Sequence, residues 1–361
     1  MHSSQEAIEL AKSLFKKMPW ESQLRPLLKY YDYEVHLGVE KTLNPLMEDF
    51  QKDEMKSRTF LLIFKKIYDE LLLCGNRTVQ IFKLDDDSID HIKKASKEIF
   101  ILDSPEKESF PYYLDEETLE LSDEKAKLIH LIEDGDLLTF YFSSNRKITE
   151  RIRLEPTLND ENEEIFTFLS KFDKVTAYRN LSRQYIDIVN IDLSKKILDI
   201  RIDATDISNK KDIDSILESI KNEFKEVSKC SLETFRNKVN FFKSIDELYN
   251  DNKTGRVVEI SFTTDDGYIH HEKDRGRNAS GDVRTSLFHE GGREKTEIDP
   301  FKISKRWSDN FNKESISYEF ELTLNSKYRD LSNSSITLLD HLIVKMASKK
   351  SNYDKIIDLV S

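Results

Sequence analysis

Between Ile316 and Leu324 the chain alternates without a break, with Ile316, Tyr318, Phe320, Leu322 and Leu324 set against Ser317, Glu319, Glu321 and Thr323. Successive side chains of a strand leave on opposite faces, so this pattern specifies a strand with one face buried and the other polar. Other segments carry the helical period. Ala7, Leu10, Ala11, Leu14, Phe15 and Met18 recur at i, i+3 and i+4 after Ser3 and Glu6 in capping-box spacing. Ile213, Ile216, Leu217, Ile220, Phe224 and Val227 do the same over 212–228. A chain with both periods must seat helices on a sheet, and the order of the elements decides which kind.

That order mixes hairpins with helices. Residues 184–193 and 197–203 flank a turn at Ser194-Lys195-Lys196, and 256–263 and 268–272 flank Asp265-Asp266-Gly267, a good hairpin signal. Residues 137–142 and 148–154 read as a third hairpin around Ser143-Ser144-Asn145-Arg146-Lys147. In 197–203, Leu198, Ile200 and Ile202 alternate with Asp199, Arg201 and Asp203, which predicts one buried and one wet face. Helices are expected over 26–50, over 56–73 with Gly75 behind it, over 126–134 ending at Gly135, and over 335–347. No strand–helix–strand repeat emerges. The expectation is an α+β fold, an N-terminal helical region followed by mostly antiparallel sheet with packed helices. Pro105, Pro111 and the acidic run at 115–117 make 103–123 the best boundary, separating a helix-rich region 1–102 from an α+β domain 123–361.

Charge narrows the function. The chain has 56 Lys and Arg against 68 Asp and Glu, a net −12, which disfavours wholesale binding to phosphate backbones but leaves room for a local basic face. Two cysteines, Cys74 and Cys230, form no CxxC pair and fit a reduced, cytoplasmic setting. No signal-peptide core and no membrane-length apolar run is present. Neither is a P-loop, a dinucleotide-binding glycine pattern, a nucleophile elbow or a zincin motif. Asp192 and Asp199 lie near Lys195 and Lys196, but the carboxylate-x-lysine strand of a nuclease core is missing. The Asp85-Asp86-Asp87 run lacks calcium-loop spacing and suits a helix N-terminus.

Residues 255–306 depart from the rest. They hold six of the nine glycines, His270, His271 and His289 among eight histidines, and six arginines: Arg256, Arg275, Arg277, Arg284, Arg293 and Arg306. Glycine collects where backbone turns sharply, and Arg recognises carboxylates and phosphates through several planar donors. The segment therefore reads as a protruding loop, 273–293, which contacts a partner through Arg275, Arg277, Arg284 and Arg293 with Tyr268 and His270 alongside. A protein partner is expected, with nucleic acid the other candidate. The competing reading is a metal-dependent hydrolase, a nuclease, using His270 or His271 with His289, Glu290 and Asp282. Its weakness is that neighbouring His270 and His271 leave opposite faces of a strand. The leading expectation is a non-catalytic interaction or sensor subunit of a cytoplasmic assembly, without cofactor. The Lys-, Ile- and Asn-rich composition points to AT-rich prokaryotic coding, with phage defence as one setting.

Overall fold

The computed structural model describes residues 3–154, 163–205, 207, 209–275, 281–311, 316–331 and 337–360. Its organising element is one ten-stranded antiparallel sheet. The strands are β1 (Arg77–Lys83), β2 (Lys127–Asp134), β3 (Leu137–Leu154), β4 (Val175–Asp192) and β5 (Ile197–Ile202). They continue with β6 (Arg256–Thr264), β7 (Ile269–Lys273), β8 (Ile298–Asn310), β9 (Ser317–Asn325) and β10 (Leu342–Lys345). Across the sheet they run β2-β3-β4-β5-β1-β10-β9-β8-β6-β7. The fold is α+β, as the mixed periodicity requires. Among the described residues, no helix is long and apolar enough to cross a membrane.

Helices cover most of the back of the sheet, leaving the far ends of β3 and β4 exposed there. N-terminal helices Ser3–Lys17, Val39–Lys52 and Glu54–Cys74 pack together around Leu10, Leu14, Phe50, Phe60 and Phe64. Leu72 at the end of the third packs on Tyr141, Ile186 and Ile188 of β3 and β4. Toward the other edge, helices Ser244–Asn250 and Lys350–Asp358 cover Val79, Ile81, Ile303, Phe320, Leu322, Leu342 and Val344. On the front, helices Asp86–Ser96 and Lys210–Ser228 cover only the β2–β5 half, over Phe82, Phe140, Phe142, Val189, Leu198 and Ile200.

Several segments depart from what their local pattern predicts. Residues 26–50 are not one helix: Arg25–Tyr30 ends at Asp32, whose φ is 59°, and Gly38, at 101°, precedes Val39–Lys52. Residues 127–134 form β2, because Gly135 at φ 59° turns the chain into a hairpin with β3 instead of ending a helix. The turn expected at 143–147 is continuous strand. Ser143 accepts from Gln184 (3.0 Å), Ser144 donates to Asp187 (3.3 Å) and Asn145 donates to the Leu119 carbonyl (3.0 Å), so each of these turn-like residues finds a buried partner within a strand. At 342–345 the helical spacing yields to β10, which bonds to β1 and β9 and sends Leu342 and Val344 into the core.

The face expected to be wet in β5 is also buried. Asp199, Arg201 and Asp203 are 5%, 3% and 3% exposed. Arg201 grips Asp199 through Nε and Nη2, lies 3.9 Å from the Tyr353 ring centroid, and donates to the Leu73 carbonyl at 3.2 Å. The C-terminal helix thus closes over a charge pair that it also stacks on. Removing one partner of a buried pair strands the other charge, at about 3–5 kcal/mol. Arg201→Ala should lower the urea stability by that order, whereas a volume-matched Asp199→Leu/Arg201→Met double variant should lose clearly less. Equal losses would show that packing, not charge, dominates there.

Candidate functional site

The Arg-bearing segment folds back on the sheet. The Asp274 N–H donates to the Val258 carbonyl (2.9 Å), Arg256 Nη1 to the Gly281 carbonyl (2.9 Å), and the Val257 N–H to Asp282 (3.2 Å). Arg284 turns inward. Its side chain is 11% exposed, and it donates to Asp282 at 2.6 Å and to the carbonyls of Tyr249 and Asp251 at 2.7 and 2.8 Å. Arg256 forks onto Glu319 (2.7 and 3.0 Å) and Arg306 pairs with Glu321 (2.6 Å). Arg293 makes a surface pair with Glu297 (3.2 Å), while Arg275 and Tyr268 are exposed. Arg277 lies outside the described residues. Local carboxylates thus take up the guanidiniums of Arg256, Arg284 and Arg306.

The histidines separate by face. His270 stacks on Phe262 on the back, with centroids 5.1 Å apart, while His271 faces front and bonds Ser261 through Nδ1 at 2.8 Å. His289 is buried with both ring nitrogens engaged, Nε2 to the Tyr249 hydroxyl (2.8 Å) and Nδ1 to Glu272 (3.1 Å). Glu290 is exposed, and Asp282 is held by Arg284. Among the described residues, no group of three or more His, Cys, Asp or Glu is arranged to hold a metal ion. Cys74 and Cys230 are buried free thiols, and burial pushes Cys74 up to about 12.

What the structure does assemble is the front face of the β10–β7 half, which no helix covers among the described residues. Register places Lys345, Glu321, Arg306, Glu259 and Lys273 there from five different strands. Lys345 and Arg306 hold Glu321 at 2.8 and 2.6 Å; Lys273 holds Glu259 at 3.0 Å, and Lys302 also pairs with it. Beside this ladder opens a cleft of about 790 Å³, bounded by the start of helix Lys210–Ser228. Lys210, Lys273, Arg306, Lys327 and Lys345 line it against Glu259, Asp274 and Glu321, while Arg77 borders it and donates its guanidinium to the Leu72 and Ile186 carbonyls. The alternation in β9 foretold its polar face. The cleft itself had no local signal, because its lining is gathered from residues 76 to 346.

Electrostatics fixes the charge state. Burial alone would raise Glu321, but Lys345 and Arg306 outweigh it and hold the carboxyl below its ordinary value. Glu259 behaves likewise, burial being outweighed by Lys302 and Lys273. Compared with protein-family models and with curated proteins, the chain matches none of them.

Two outcomes follow. A carboxylate depressed on folding contributes stability that is present above its unfolded value, about 4.3, and is lost as pH falls through the lower folded value. Wild type should therefore exceed Glu321→Gln in urea midpoint at pH 7, with the gap narrowing below about pH 4. Arg284→Ala should cost about 2 kcal/mol, since several carbonyls and a carboxylate lose a charged donor. Arg275→Ala should stay within about 0.5 kcal/mol of wild type. Thermal unfolding of both variants checks this, and equal shifts would contradict the inward placement of Arg284.

Proposed function

We propose that this chain is a non-catalytic interaction subunit of a cytoplasmic prokaryotic assembly, which receives an acidic segment of a protein partner in the open front cleft. The observation carrying this reading is the local charge reversal. A chain of net −12 sets five Lys and Arg against three carboxylates around one 790 Å³ cleft. A concave site with converging polar groups is the usual form of a binding site, and opposite charge across an interface sets register and speeds encounter. The Arg-bearing loop 273–293 supplies Lys273 and Asp274 to the lining, with Arg275 exposed next in sequence. Because Glu321 and Glu259 are held ionised by neighbouring cations, they suit fixed recognition better than proton transfer.

The test is affinity capture of the tagged full chain from its native cells at moderate salt, comparing wild type with Lys210→Glu/Lys273→Glu. Both lysines are exposed, so the circular dichroism should match wild type, while the melting temperature should fall modestly because Lys273 faces Glu259 and Lys210 pairs with Asp214. The expected result is a stoichiometric protein retained by wild type and lost from the double variant. Identical capture by both proteins would overturn the cleft as the contact.

A further inference from the structure

A second feature, on a different part of the sheet, points to nucleic acid. β2 pairs with β3 only as far as Ser143, and β5 pairs with β4 only from Ile188 onward. From Ser144↔Tyr185 to Leu154↔Val175 the sheet therefore continues as β3 and β4 alone, a ribbon of two strands. At about 3.4 Å per residue it runs about 25 Å beyond Arg146, with strands about 4.8 Å apart.

Register gives the two faces of this ribbon different chemistry. On one, Lys147, Thr149 and Arg151 stand opposite Ser182, Asn180 and Tyr178. On the other, Ile148, Glu150 and Ile152 stand opposite Leu181, Arg179 and Ala177. The second face is apolar and neutral, its one acid paired with Arg179 at 2.7 Å. The first carries no acid. Thr149 donates to Asn180 at 2.9 Å, Tyr178 is 66% exposed, and Lys147 reaches Glu124 at 2.6 Å. Arg151 and Lys174 are exposed and make no ion pair among the described residues. In sequence, 147–152 and 174–183 hold five Lys and Arg against the single Glu150, within a chain of −12.

We infer that the Lys147–Arg151–Tyr178 face of this ribbon docks on duplex nucleic acid. A two-stranded β-ribbon fits the B-DNA major groove, which is about 12 Å wide. Arg and Lys meet phosphates and guanine edges, Asn meets adenine, and Thr, Ser and Tyr meet phosphate oxygens. Excess cations on an otherwise acidic protein confine such contact to one face. The opposite, neutral face would lie away from the phosphates. This site is separate from the front cleft and stands whether or not the cleft binds protein.

The experiment is fluorescence polarisation of the full chain with a labelled mixed-sequence DNA duplex of about 20 base pairs, between about 50 and 200 mM salt. Wild type should bind with an affinity that falls steeply as salt rises. Arg151→Glu/Lys174→Glu should bind about tenfold or more weakly at the lowest salt, with a log–log salt slope shallower by about 2. Its circular dichroism and melting temperature should match wild type. Lys210→Glu/Lys273→Glu should bind the duplex as wild type does. Four results would overturn the assignment: no duplex binding at the lowest salt, equal binding by the ribbon variant, loss confined to the cleft variant, or competition by polyglutamate as strong as by unlabelled duplex. That last outcome would assign the face to an acidic protein.

Discussion

The backbone hydrogen bonding of β1 is the interaction on which the remainder depends. Its seven residues, Arg77–Lys83, bond to β5 along one side and to β10 along the other, so among the described residues the two halves of the sheet are joined through it. Both of its faces are used. Val79 and Ile81 enter the back core, Phe82 enters the front core beneath helix Lys210–Ser228, and Thr78 lines the cleft. The approach to this strand is equally constrained. A Cβ at Gly75 would stand 2.6 Å from the Leu71 carbonyl oxygen, so helix Glu54–Cys74 passes into β1 at a position only glycine fits.

Around that strand the protein treats charge in two ways. At the back of β5 and along β4, charges are enclosed and matched one to one, Arg201 with Asp199, Arg146 with Asp187 and Lys17 with Asp203. Burial would raise Asp203, yet Lys17 and Arg77 outweigh it and keep the carboxyl well below its ordinary range. Two of these pairs join separate elements, since Lys17 ends the first helix and Asp203 follows β5, and Arg146 lies in β3 and Asp187 in β4. On the uncovered front, acids are shared among cations, as Glu259 is between Lys273 and Lys302 and Glu321 between Lys345 and Arg306. Shared acids leave cationic donors with capacity for an outside ligand, whereas matched pairs do not.

The fold was legible wherever local pattern and tertiary demand agreed. The helices at 3–17, 54–74 and 210–228 and the strands β6 and β9 stand close to where periodicity puts them. It failed where a neighbour decides. Leu338, Leu339, Leu342, Ile343 and Met346 have helical spacing, yet 342–345 is strand because ladders wait on both sides. Ser143 to Lys147 look like a turn, yet buried partners for Ser143, Ser144 and Asn145 make them strand. Composition did single out 255–306, and that segment borders the cleft through Lys273, Asp274 and Arg306. Sequence could not show that Arg256, Arg284 and Arg306 would each meet a carboxylate of this same chain. Nor could it show which polar strand face goes without a covering helix.

The place of β10 carries a consequence for how the molecule is made. The strand that must pair with the second edge of β1 leaves the ribosome about 260 residues after it. At about 5–20 residues per second, that is roughly 13–50 s during which one side of β1 lacks its ladder. The covering residues Tyr353, Ile356 and Ile357 emerge later still. The nascent chain therefore carries an open β edge and an uncapped apolar back face through that interval. Both are surfaces that stray β-strands or other exposed apolar segments would capture unless they are shielded.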